Sequence, residues 1–158
     1  MKTFCLLLAI LLLGSNLSAQ TTNSSPSLDA YLGLSHLKIG MDLKDLKGKL
    51  KPIEGTSDES GRVYYSYISS DSFFSDENIS VKNVKVKVFQ NKVEEVEFTF
   101  NKFDDIKIFQ IFREKYGMFT EKPNLHRDIY YWAGNTVKLT YNYSDNAGNP
   151  VAKFQLNL

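Results

Sequence analysis

His36 and His126 are the only side chains in this chain whose ordinary pKa suits a base near neutral pH. His36 follows Ser35, and His126 lies two residues before Asp128. The reaction these types could run is hydrolysis by a serine, a histidine and an acid. The chain has no Gly-x-Ser-x-Gly elbow, and both histidines fall in stretches that read as surface loop. Metal chemistry finds less: there is no His-x-x-x-His pair, and Asp71, Asp76, Glu77 and Asn78 lack the spacing and central glycine of an EF-hand. Glu94, Glu95 and Glu97 form the densest group of carboxylates, the raw material of a glycosidase. Lys85 and Lys87 are expected opposite them, which keeps acids ionised and unfit to donate a proton. With no phosphate loop or dinucleotide fingerprint either, no cofactor is expected and the sequence identifies no enzyme.

Aromatic content stands out instead, with nine Tyr, eleven Phe and one Trp. Phe98, Phe100, Phe109, Phe112 and Phe154 fall at inward positions of the elements described below. The runs Tyr64-Tyr65 and Tyr130-Tyr131-Trp132 cannot all do so, because neighbouring residues of a strand point to opposite faces. With Phe73-Phe74 in a nearby loop, the residues Tyr64, Tyr65, Phe73, Phe74, Tyr131 and Trp132 are expected to form an exposed patch that binds a partner.

The N-terminus reads as an address. Lys2 precedes an apolar run from Phe4 to Leu13, closed by Gly14-Ser15 and by Leu17-Ser18-Ala19. Such a run is too short to span a bilayer, which takes about 20 apolar residues. Residues 1–19 are therefore expected to be a signal peptide cut after Ala19, leaving no membrane anchor and a protein that works in the periplasm or outside the cell. Removing them takes one lysine and no acid from the 19 basic and 18 acidic residues, so the charges balance. A balanced chain offers no footprint for nucleic acid. The single cysteine, Cys5, goes with the signal, and thiol catalysis, disulfides and cysteine-held zinc go with it.

Residues 20–27 (QTTNSSPS) read as a flexible leader, and residues 28–158 as one domain. Leu28–Leu37 is either a short helix or a loop docked on the core. Asp42 as cap, the stripe Leu43, Leu46 and Leu50, and Pro52 as stop predict a helix over 42–51. Arg62–Ser69 reads as a strand. Val84, Val86 and Val88 then Val96, Phe98 and Phe100 alternate about a turn at 90–92, which predicts a hairpin. Setting Val86 opposite Val96 and Val84 opposite Phe98 also sets Lys87 opposite Glu95 and Lys85 opposite Glu97, so one register suits both faces. Phe103–Tyr116 reads as the longer helix, stopped by Gly117. Strands Asp128–Trp132, Thr136–Tyr143 and Val151–Leu158 complete the chain.

Helix, three strands, helix, three strands is thus the expected order. A shift of 66 residues lays Leu43, Leu46 and Leu50 on Phe109, Phe112 and Tyr116, and Val63-Tyr64-Tyr65 on Ile129-Tyr130-Tyr131. The match has two readings: a tandem duplication with halves 38–100 and 101–158, or the chance agreement of apolar patterns. The expected fold class is α+β, a two-layer arrangement with a largely antiparallel sheet and two helices on one face. The stretch Leu37-Lys38-Ile39-Gly40-Met41-Asp42-Leu43-Lys44-Asp45-Leu46 resembles the Gly-Met helix opening of small envelope proteins of the BamE/SmpA type. The tandem layout resembles that of the β-lactamase inhibitor protein family. Both resemblances imply a small exported α+β module that acts by binding another protein. The mature chain has no cysteine, so neither a lipid anchor nor a disulfide comes with them. The expected function is therefore non-enzymatic binding of an envelope or secreted protein, with a glycan or cell-wall ligand as the alternative and a small hydrolase as a third reading.

Overall fold

The computed structural model describes residues 26–74, 79–121, 129–143 and 148–157. The expected signal, most of the leader, His126 and the acids Asp76 and Glu77 lie outside them. Among the described residues no helix is long and apolar enough to cross a membrane.

The fold is mixed α and β. Helix α1 (Pro26–Tyr31) takes its first turn from Pro26, a residue suited to that position because its missing N–H has no helical partner to lose. A two-stranded ribbon follows, β1 (Gly33–Leu34) against β2 (Leu37–Lys38). The segment 28–37 therefore combines helix and ribbon, and Leu28, Leu34 and Leu37 dock it with no more than 1% exposure. A seven-stranded antiparallel sheet makes up the rest, from β3 (Leu50–Pro52), β4 (Val63–Tyr67), β5 (Val81–Phe89), β6 (Lys92–Phe100), β7 (Ile129–Ala133), β8 (Val137–Asn142) and β9 (Val151–Leu156). Its order is β3-β4-β5-β6-β9-β8-β7, two meanders joined through β6 and β9. Helix α2 (Asp105–Tyr116) connects them, ends at Gly117 with φ 81°, and buries Ile108, Phe112 and Tyr116.

The expected helix over 42–51 does not form. Only a 3₁₀ turn, Leu43–Leu46, survives, with Asp42 making no capping bond. Backbone bonds to the β5–β6 hairpin claim this stretch: Gly40 N–H donates to Val93 O, Leu43 N–H to Asn91 O, and Val93 N–H to Met41 O. Gly48 then takes φ 79°, which breaks the turn. In a helix it would instead sit in the interior at a cost of about 1 kcal/mol. Leu50 consequently belongs to an edge strand, opposite Tyr67, rather than to a helical stripe.

The hairpin register is as expected, Val86 to Val96, Val84 to Phe98, Lys87 to Glu95 and Lys85 to Glu97. Its loop is shorter than the expected 90–92. Gln90 and Asn91 alone turn the chain, both at positive φ (48° and 61°), and Phe89 faces Lys92. The extra residue is Glu94, a bulge between the pairs Val88–Val93 and Lys87–Glu95.

Pairing across all seven strands defines the two faces. One row runs Tyr65, Val86, Val96, Phe154, Leu139, Trp132, and the next Val84, Phe98, Ala152, Tyr141, Tyr130. Apart from the half-buried Tyr65 and Tyr130, these are buried, and α2 meets them through Phe112, whose ring lies 5.4 Å from Tyr141 and 6.2 Å from Phe154. The alternate rows are polar: Tyr64, Lys87, Glu95, Gln155, Lys138, and Ser66, Lys85, Glu97, Lys153, Thr140, Tyr131.

Candidate functional site

These rows divide the expected aromatic patch. Tyr64 and Tyr131 do point to the polar face, as adjacency in a strand requires. Tyr65 points inward and packs against the core. Trp132 is fully buried, and its indole N–H donates to Gly117 O at 2.8 Å, so it cannot contact a partner. Phe74 is 8% exposed and packs edge-on against Phe100. Phe73 is half-buried, stacked on His36 with ring centres 4.9 Å apart. Tyr64 on β4 and Tyr131 on β7 lie five strand spacings apart, about 24 Å. The six residues are therefore not one patch but two outward rings, three inward ones and a loop ring.

What lies between the two outward rings is a charged field. Lys153 reaches Glu95 and Glu97, at 3.3 Å each. Burial alone would lower its pKa, but the two carboxylates outweigh burial and raise it. Arg62 holds the bulged Glu94 bidentately, at 2.7 and 2.9 Å. That bond, more than the neighbouring charges, keeps the Glu94 carboxyl below its ordinary range. Lys85 is then left 3.7 Å from Glu97 and Lys87 3.8 Å from Glu94, contacts too long to be hydrogen bonds. Lys87 sits over the Tyr64 ring at 5.6 Å and Lys138 over the Tyr131 ring at 4.3 Å. A cavity of about 360 Å³ opens here, lined by Ile53, Thr56 and Tyr64 together with three cations, Lys85, Lys87 and Lys153, and two carboxylates, Glu95 and Glu97. Its volume is within the range of small-ligand pockets.

A second cluster joins the N-terminal ribbon to β4. Tyr67 hydroxyl donates to Asp71 at 2.6 Å, and Lys49 donates to the same carboxylate oxygen at 2.7 Å. The Tyr67 hydroxyl has one hydrogen, so the 2.8 Å contact with His36 requires Nε2–H to donate to Tyr67 Oη. Nδ1 is then left as an acceptor facing Ser35 Oγ at 3.3 Å. Burial pushes His36 below its ordinary pKa, with Asp71 opposing and Lys49 adding to the fall. Burial, then the bond to Asp71, raises Tyr67 to about 12. The bonds from Lys49 and Tyr67 hold Asp71 well below the usual carboxylate range. A neutral imidazole with a free lone pair beside a hydroxyl can act as a base; the same bonds also hold the ribbon on the sheet. The partners of His36 lie far along the chain, 31 residues away for Tyr67, so no local pattern announced them.

Among the described residues no group of three or more His, Cys, Asp or Glu is placed to hold a metal. Compared with known protein families, with curated proteins and with solved structures, the chain matches none.

Proposed function

We propose that this protein is an exported binding module and that the polar face of its sheet receives an envelope or secreted protein. The observation that carries the reading is the cavity beside Tyr64, set in a field where Lys85 and Lys87 have only long contacts to acids. The N-terminal residues 1–19, with the features of a signal peptide, support export. The two meanders, β4-β5-β6 and β9-β8-β7, support descent from a duplicated three-strand unit, with α2 on the core face; the helix expected to open the first half does not form. The resemblance to BamE/SmpA-type proteins and to the inhibitor family points to no partner, and residues 37–46, which carry the first, form a ribbon strand and a 3₁₀ turn rather than a helix opening.

Crosslinking the native exported protein, followed by mass spectrometry, tests the reading. Crosslinks from Lys85, Lys87, Lys138 and Lys153 to a second protein are expected. A partner joined only through residues of the opposite side would refute it. The glycan alternative rests on Tyr64 and Tyr131, but each ring already carries an ammonium group over it, which competes with a stacked sugar. Retention on peptidoglycan that Tyr64→Ala and Tyr131→Ala abolish would establish that alternative instead. The hydrolase reading is favoured by Ser35 Oγ facing His36 Nδ1. Labelling of Ser35 by a fluorophosphonate, lost in His36→Ala, would support it, and an unlabelled chain would remove it.

A further inference from the structure

We infer that the ligand of the polar face is an extended acidic segment of the protein partner, with one carboxylate seated between Lys85 and Lys87 and another on Lys138. This rests on the binding reading above and names the chemistry of its partner. The charge field carries the inference. Five cations, Arg62, Lys85, Lys87, Lys138 and Lys153, share this face with the carboxylates of Glu94, Glu95 and Glu97. Arg62 and Lys153 take all three acids at close range. Five cations against three carboxylates leave a surplus of two charges, shared among Lys138 and the pair Lys85 and Lys87, which keep only long contacts to Glu97 and Glu94. Lys87 and Lys138 are steadied by tyrosine rings, and among the described residues no acid pairs with Lys138. A cation held by a ring keeps its donors free for an incoming anion.

Spacing selects the class of anion. Lys85 and Lys87 are two residues apart on β5, about 7 Å. Lys87 and Lys138 belong to one row, separated by Glu95 and Gln155, so three strand spacings put them about 14 Å apart. An extended peptide crossing the strands covers that distance in about four residues. Acids at positions i and i+4 would meet both cations, and uncharged residues between them would add no further carboxylate against Glu95. A nucleic acid or sulfated polysaccharide, charged at every unit, would lay anions against Glu95 and Glu97.

The test uses the full mature chain, isotopically labelled, and an acetylated peptide Glu-Ser-Gly-Ser-Glu as probe at low salt. Amide shifts centred on Tyr64, Lys85, Lys87 and Lys138 are expected, with Lys-Ser-Gly-Ser-Lys silent. Lys85→Gln with Lys87→Gln should weaken the acidic probe about tenfold, and raising the salt should do likewise. Both side chains are solvent-accessible, and Lys138→Ala offers an independent variant should the pair misfold. Absence of shifts on this face, shifts unaffected by these variants, or shifts with heparin and not with the peptide would each overturn the inference. Crosslinks that still map to this face in that event would leave the binding reading standing, whereas crosslinks elsewhere would end that reading itself.

Discussion

Alanine at position 134 is expected to cost about 2 kcal/mol in the native protein and almost nothing once Asp29 is removed. Gly134 is buried in the β7–β8 turn, and a Cβ built there would collide with the Asp29 carboxylate. That carboxylate reaches from α1 to accept the N–H groups of Asn135 at 2.5 Å, Thr136 at 2.8 Å and Val137 at 3.2 Å. Burial alone would raise the Asp29 carboxyl, but the three donors together hold it below its ordinary value of 3.8. Losing them in Asp29→Ala is comparable to losing a helix cap, about 1 kcal/mol, because the exposed amides of Asn135 and Thr136 can turn to water. Gly134→Ala displaces the same carboxylate and adds crowding of about 1 kcal/mol, which gives the total of about 2. In the Asp29→Ala background the crowding partner is gone, and alanine is neutral or slightly stabilising. The coupling energy is then about 2 kcal/mol, read in urea as a midpoint shift of about 1 M that appears in one background only. The Asp29 contribution is present above its unfolded pKa and lost as the pH falls through the lower folded value, so the cost of Asp29→Ala should fade in acid. Equal costs of Gly134→Ala in both backgrounds, within about 0.5 kcal/mol, would refute the account of this contact.

Trp132→Ala should destabilise by about 3–5 kcal/mol, as expected of a fully buried ring, whereas Tyr131→Ala should cost under about 1; paired urea curves check the assignment of the two to opposite faces. Gln90→Asn with Asn91→Gly should raise the thermal midpoint, by about 0.5–1 kcal/mol of stability, because both residues already hold positive φ. The His36 cluster makes stability pH-dependent at both ends. His36, lowered when folded, contributes fully above 6.5 and loses its contribution as the pH falls through its folded value, and Tyr67, raised to about 12, contributes below 10 and loses it between about 10 and 12. Tyr67→Phe should remove this cluster's share of the alkaline limb of a pH–stability curve and leave the share of Tyr116 and Tyr141, which burial also raises.

Legibility followed the range over which a signal acts. The hairpin register was readable because its two faces are encoded in adjacent strands, and a slip would have exposed Val84 and Val86, which are 4% and 0% exposed. Helix α2 and strands β7, β8 and β9 were readable within a residue or two at each end, for the same local reason. The segment 42–51 was not, since its helical pattern lost to backbone partners on β6 and to Gly48. Face assignment failed where it depended on strands far apart in sequence. The shift of 66 residues lays outward Tyr64 on inward Tyr130, so between these two strands only an odd shift would match the faces. Trp132 went to the core on that parity alone, and His36 found Tyr67 and Asp71 only through the folded chain.

The charge pattern shows why a correct register gave only part of the ion pairing: Lys85 does reach Glu97, but only at 3.7 Å, and Lys87 reaches Glu94 instead of Glu95. Two-strand logic pairs Lys87 with Glu95 and Lys85 with Glu97, and those residues do face each other across β5 and β6. Strand β9 changes the outcome by setting Lys153 beside β6, where one ammonium reaches both Glu95 and Glu97 more closely than Lys85 reaches Glu97. The bulge changes it again. An extra residue in β6 adds the Glu94 carboxylate to this charged group, and Arg62, at the start of β4, takes it. Lys85 and Lys87 are left with long contacts because of two features outside a regular hairpin: a third strand whose position in the sheet no local signal states, and a bulge at Glu94, beyond the loop expected over 90–92. The surplus of positive charge on this face is thus a product of topology, in a chain whose total charge is close to balanced.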